Sequence, residues 1–156
     1  MRIILLFSFL LVLSGPRASA NTLTSDSLEA KDDYQVMYEF IKDIHDPDIA
    51  LDVILSSHVH ITQVEDQELL EYLLASLEEM RLNLSNRDLK QINFIPFNEL
   101  PRKKRSEIDP EDLDPEKLYV MYHKDRERYG LYVNEQVIQS FTLVSKGNHQ
   151  AHFVTY

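Results

Sequence analysis

The 156-residue chain carries 26 acidic and 16 basic side chains, a formal net charge of −10, and no cysteine. That balance argues against nucleic acid as a partner, because binding phosphates needs a positive footprint. Without cysteine there is no disulfide framework and no thiolate chemistry, so a hydrophobic core alone must hold the fold.

Residues 1–20 read as a secretory signal peptide. Arg2 supplies the positive start, Ile3 to Leu13 form an apolar stretch interrupted by Ser8, and Gly15-Pro16 break it. Ala18-Ser19-Ala20 has the small-residue pattern of a cleavage site. The apolar run falls well short of the roughly 20 residues that span a bilayer, and no cysteine follows it to take a lipid. The expectation is export to a periplasmic or secreted location, with no lipid anchor and no integral membrane segment in the mature chain. Loss of Arg2 and Arg17 with these 20 residues leaves 136, holding 14 basic and 26 acidic side chains and a charge of −12. That length suits one domain.

Residues 21–33 are polar and acidic and read as a flexible lead. From there, 34–156 reads as a single domain. Tyr34, Met37, Tyr38, Ile41 and Ile44 recur at helical spacing and predict a helix to His45. Asp46-Pro47-Asp48 stops it and starts a short second helix, in which Ile49, Val53 and Ile54 face the core up to about Ser56. His58 to Gln63 alternates with period two and predicts a short strand. Asp66 to about Met80 is the main covering helix, with a seam of Leu69, Leu70, Leu73, Leu77, Met80 and Leu84.

After a turn at 85–88, Leu89 to Phe97 predicts a strand ending at Pro96. Residues 101–116 hold four consecutive basic residues, then acids and prolines, with only Ile108 and Leu113 apolar. They read as an exposed charged loop. The last forty residues predict a meander of about four strands: LYVMYHK, YGLYVN, QVIQSFTLV and NHQAHFVTY. The turns fall at Lys124–Arg128, at Asn134-Glu135 and at Ser145–Asn148. Gly147 is suited to positive φ and Gly130 to a bulge or close approach. Val137, Phe141 and Leu143 share one face while Ser140 and Thr142 take the other, as in a sheet with one buried side. The fold class is therefore α+β, N-terminal helices on one face of a C-terminal antiparallel sheet. Residues 117–156 carry a charge of +2, against −14 for 21–116.

Few residues suggest chemistry. His58-x-His60 would put two imidazoles on one strand face, the weak metal candidates, but a zinc site needs three or four ligands. His60 and His123 are the candidate general bases, with Asp52 or Asp66 as an acid partner for His60. Asp109, Glu111, Asp112 and Asp114 lack the glycine and ligand spacing of a calcium loop. No glycine-rich phosphate loop or G-x-S-x-G elbow occurs, and no cofactor is called for. Arg102–Arg105 fits a dibasic processing site and Asn83-Leu84-Ser85 an N-glycosylation sequon. Tyr119, Tyr122, Tyr132 and Phe141 could line a groove between sheet and helix, and are the candidate ligand-binding residues.

The order helix, helix, short strand, helix, antiparallel meander resembles the NTF2-like, cystatin-like α+β class over most of 34–156. The resemblance implies a curved sheet around a long helix with a conical cavity, and no particular chemistry. The functional expectation is a small exported, periplasmic or secreted, binding domain for an unidentified small molecule or protein, without catalysis. The alternatives are an NTF2-like cavity enzyme using a His/acid pair and a structural or homodimerising module using the open sheet face.

Overall fold

The computed structural model describes residues 32–63 and 65–156; the expected signal peptide and residues 21–31 of the lead lie outside them. Among the described residues three helices come first: α1 (Asp33–His45), α2 (Leu51–His58) and α3 (Gln67–Leu84). Asp32 caps α1 by accepting the Gln35 N–H at 2.7 Å, and Asp66 caps α3 through the Leu69 N–H at 3.0 Å. The α3 seam is as expected, with Leu73, Leu77, Met80 and Leu84 buried. On α1 the buried stripe is rotated relative to expectation. Val36 and Phe40 join Met37, Ile41 and Ile44 inside, while Tyr34 and Tyr38 are about half exposed. Arg81 of α3 donates to the carbonyls of Ile44 at 2.9 Å and Ile49 at 2.6 Å. It places a cation at the negative end of α1 and ties α3 to α1 and to the linker that leads into α2. No helix among the described residues is long and apolar enough to cross a membrane.

Seven strands follow: β1 (Ile92–Pro96), β2 (Ile108–Asp109), β3 (Leu118–His123), β4 (Arg126–Asn134), β5 (Val137–Ser140), β6 (Leu143–Gly147) and β7 (Gln150–Phe153). They build two sheets, β1-β3-β4-β5 and β2-β7-β6. Every pairing is antiparallel except β2 with β7. The α+β class, helices first and mainly antiparallel strands after, is the one that the hydrophobic pattern predicts.

The sheet departs from expectation in being covered on both sides. Tyr119, Met121, Leu131 and Val133 face the helices and pack with Phe40, Leu73, Leu77 and Phe94. Leu118, Val120 and Tyr132 face away and are equally enclosed, by Phe97, Leu100, Ile108 and Phe153. The open sheet face on which the alternative dimerising reading relies is thus occupied by the second sheet. The helix-facing side is filled with side chains such as Met37, Phe40 and Met121, all fully buried, where the resemblance implies a conical cavity.

The charged loop at 101–116 is likewise part of this third layer. It holds a helical turn, α4 (Arg102–Arg105), and then β2, whose Ile108 is buried. Two apolar residues suffice because β7, forty residues on, supplies the pairing edge. Lys104 bridges Glu107 and Glu127 at 2.8 and 3.2 Å, and Lys146 bridges Asp109 at 3.0 Å and also pairs with Glu111.

QVIQSFTLV, expected as one strand, breaks at Phe141-Thr142 and passes from β5 in one sheet to β6 in the other. Ser140 and Thr142, expected toward solvent, are buried at this crossing. Tyr156 satisfies it. The Phe141 N–H donates to the Tyr156 hydroxyl at 3.2 Å, and that hydroxyl is 2.7 Å from Thr142 Oγ1. The final strand, expected to reach Tyr156, ends at Phe153, and residues 154–156 fold back over the core. The expected strand at 58–63 shrinks to one parallel bridge, Val59 with Ile138, because α2 runs on to His58. That segment still guards the β5 edge. His60 N–H donates to Ile138 O at 2.9 Å, and Thr62 donates its N–H and hydroxyl to the Tyr156 backbone oxygen at 2.9 and 2.8 Å.

The turns follow backbone rules. Glu135 and Gln136 both take positive φ, 52° and 62°, the pattern of a two-residue hairpin matched to strand twist. Gly147 sits at φ +84°. Gly130 is a close approach: a Cβ there would lie 2.6 Å from Leu143 Cδ1 and 2.9 Å from Phe153 Cε1.

Two outcomes check this architecture by urea unfolding. Tyr156→Phe strands the Phe141 N–H and the Thr142 hydroxyl in a buried site and should cost about 1–3 kcal/mol. Gly130→Val should cost ~1–3 kcal/mol by pushing the sheets apart, and Leu143→Ala in that background should recover part of it. Wild-type stability in Gly130→Val would refute the two-sided packing, and wild-type stability in Tyr156→Phe would refute the buried hydrogen bonds of the crossing.

Candidate functional site

The structure separates most of the residues that the sequence singles out. His58 ends α2, with Nε2 2.8 Å from Asp43 Oδ2 of α1 and its ring 5.9 Å from that of Phe40. It is a clamp between two helices. His60 lies in the extended segment beyond and is exposed, so the two imidazoles do not share a strand face. Among the described residues no group of three or more His, Cys, Asp or Glu side chains is placed to hold a metal.

The aromatic candidates are divided by the sheet. Tyr119 faces the helices and donates its hydroxyl to Asp33 Oδ2 at 2.8 Å, where Lys117 also binds at 3.0 Å. Burial and the Asp33 carboxylate raise the phenol well above its ordinary range, as suits a pin holding the start of α1. Tyr122 and Tyr132 lie on the opposite face with the second cluster. Phe141 packs against Phe40 and Tyr156, at centroid distances of 5.6 and 5.4 Å. No common groove contains the four.

The charged motifs are absorbed into local structure. Asp109 is held below the usual carboxylate range by the Glu111 N–H and then by Lys146, and Glu111 by Lys146 and then His152. Asp114 spends its carboxylate on the Glu116 N–H. The 102–105 basic run is a helical turn, followed by Ser106, whose hydroxyl donates to the Lys103 carbonyl at 2.7 Å. Asn83 lies on α3 and donates to the Tyr129 hydroxyl at 3.2 Å.

Two of the recesses among the described residues contain the candidate bases, His60 and His123. The first is a cleft of about 440 Å³ between α2 and α3, lined by Leu55, Val59, Ile61, Leu70 and Leu74, with Asp52, Ser56 and His60 beside them. Its origin is visible in the helices. Leu55 and Val59 turn inward, while Leu70 and Leu74 of α3 stay half-buried. The polar residues fall four apart along the α2 side. They are not joined to one another: Ser56 donates its hydroxyl to the Val53 carbonyl at 3.1 Å, and Asp52 accepts the Val53 N–H at 3.0 Å. Asp66, the other acid considered for His60, spends Oδ1 on the cap of α3.

The second recess, about 290 Å³, surrounds the β3–β4 turn and is lined by Arg87, His123, Lys124, Asp125, Arg126 and Arg128. His123 is 5% exposed. No carboxylate hydrogen-bonds its ring among the described residues, so the orienting acid that a catalytic base needs is missing. Burial lowers its basicity, and the positive charges of Arg87, Lys124 and Arg128 lower it further, against a smaller opposing effect of Asp88. The sequence shows His123 and the polar run after it, but it gives no sign that Arg87 joins them.

Comparison with known proteins finds no matching family model, no similar curated sequence and no similar solved structure. The site residues therefore rest on geometry alone.

His123 gives the protein a pH dependence with a definite sign. A folded-state value held below the ordinary histidine value of ~6.5 means that the unfolded chain takes up the proton first. Stability is therefore full above that pH and declines as pH falls through it. The stability difference between wild type and His123→Gln, from urea midpoints between pH 8 and 5.5, should shrink toward acid. A difference that stays constant would show that the ring titrates normally.

Proposed function

We propose that the chain is a small exported binding domain that takes a small apolar ligand in the α2/α3 cleft, without catalysis. The observation that carries the reading is the cleft itself. Five aliphatic side chains line about 440 Å³ of it, and three polar side chains stand beside them. That volume falls in the range of small-molecule sites, ~300–1,000 Å³, and its mix of apolar wall and few polar groups is their usual make-up. Export is supported by the signal-like residues 1–20.

Asp52, Ser56 and His60 are residue types that could form an acid–base–nucleophile chain, which is the observation favouring an enzyme. Catalysis needs base and nucleophile within hydrogen-bond reach. Here the Ser56 hydroxyl and Asp52 Oδ1 both bond to Val53. A binding role fits that arrangement better.

The neutral fluorophore N-phenyl-1-naphthylamine tests the cleft. Its emission should rise and saturate at one equivalent per chain. Ser56→Trp, at an exposed helix position, should fill the cleft and abolish the rise while leaving the melting temperature within a few degrees of wild type. A saturable signal unaffected by Ser56→Trp, or no signal at all, would overturn the assignment. Turnover of a generic ester lost specifically in His60→Gln would favour the enzyme reading.

A further inference from the structure

The recess at the β3–β4 turn collects four cationic side chains, Arg87, Lys124, Arg126 and Arg128, against one carboxylate, Asp125. The chain as a whole is strongly acidic, so partners for these cations are plentiful in composition. Yet none of the four forms an ion pair among the described residues. Asp88, the other acid close by, spends Oδ1 on the Lys90 N–H at 3.0 Å and Oδ2 on Gln91 Nε2 at 3.2 Å. Arg128 carries the clearest sign of an unused donor. Its Nε is buried and has no acceptor among the described residues. Buried polar groups are nearly always paired, and an unpaired guanidinium nitrogen calls for an explanation.

A β-bulge creates the cluster. Met121 pairs with Tyr129 and Tyr122 with Glu127, so Arg128 is the extra residue with no partner across the ladder. A bulge re-aims the side chains around it. Without the extra residue, Arg126 would fall on the face of Gly130 and Tyr132. With it, Arg126 sits opposite His123 on the helix side, and Arg128 lines the same recess. Arg87 arrives from the end of α3, its Nε held by the Asn83 carbonyl at 3.2 Å. The Lys124 N–H is fixed to the Gln91 carbonyl at 3.0 Å, which seats the turn against the segment before β1.

We propose that this recess is a binding site for a phosphate group, free or as a monoester. Guanidinium forks match the oxygens of phosphate and carboxylate. The excess of three positive charges favours a dianion over a singly charged carboxylate. Three guanidiniums also present more N–H donors than a carboxylate has lone pairs to accept. His123 in its neutral form supplies a further N–H without adding charge. Asp125 opposes the anion, which leaves the excess at three positive charges. This site is distinct from the α2/α3 cleft and does not depend on what that cleft holds.

Calorimetry on the full chain at fixed ionic strength, with inorganic phosphate, methyl phosphate and acetate as separate titrants, tests the proposal. Phosphate should bind saturably at one site and raise the melting temperature, while acetate should do neither. Arg126 is exposed, so Arg126→Gln should keep its fold and lose affinity on the order of 10-fold. Arg128→Gln should lose more, and phosphate should move the His123 ring titration to higher pH in wild type. Methyl phosphate binding as tightly as phosphate would identify a monoester as the natural source. Binding of inorganic phosphate alone would identify the free ion. No saturable heat with either phosphate, equal binding of acetate, or unchanged affinity in Arg126→Gln would overturn the proposal.

Discussion

Enclosure of the β3–β4 pair on both faces is the constraint on which the rest of the fold depends. Leu118 to Met121 and Gly130 to Val133 are buried without interruption, so neither face of these strands can be left to water. The helix layer satisfies one side. The other needs apolar cover from a part of the chain with little to offer, and it is assembled from pieces: Phe97, Leu100, Ile108, Phe153 and the half-buried Leu143. Gly130 lets this cover approach. Lys104 and Lys146 then fasten the pieces with ion pairs on the solvent side, where such pairs contribute little to stability but restrict geometry.

The helices were legible because their 3.6-residue period runs long enough to average out single exceptions, as on α1, where Tyr34 and Tyr38 lie outside the buried stripe. The strands were legible as strands, but their layering was not. LYVMY is an unbroken apolar run, the mark of a strand buried on both sides, and the alternation of the later QVIQSFTLV outweighed it. That second segment carries no glycine or proline at Phe141-Thr142, so nothing local announces its change of sheet. The polar residues there are buried because a tyrosine fourteen residues on, Tyr156, bonds to Thr142. Long-range hydrogen bonds of that kind leave no period in the sequence. The pairing of β2 with β7 fails to show for the same reason, being two residues long and parallel.

The sites were less legible than the fold. His60 and Asp52 both line the α2/α3 cleft, but both are exposed and no hydrogen bond joins them into the buried pair considered from the sequence; His58 is withdrawn because α2 continues to that residue. Two more helical residues than expected change which way a side chain points. In the other recess, the KDRER run reads as a solvated turn because its spacing assumes a regular strand. A single-residue bulge at Arg128 overturns that assumption, and Arg87, thirty-six residues before His123, closes the cluster from another element.

The distribution of charge explains how cations stay unpaired in an acidic protein. The acids concentrate in 21–116, and among those that reach the sheet layers, Asp33, Glu107, Asp109 and Glu111 are engaged by Lys117, Lys104, Lys146 and His152. Beside the β3–β4 turn, Glu127 lies across from Tyr122 on the far face and pairs with Lys104, so it leaves the arginines unpaired. At physiological ionic strength charges farther away than about 8 Å are largely screened. An anion at the turn therefore responds to Arg87, Lys124, Arg126 and Arg128 rather than to the net charge of the chain. Net charge governs solubility and long-range encounter. A local excess, partly shielded from water beside a buried histidine, governs what is held.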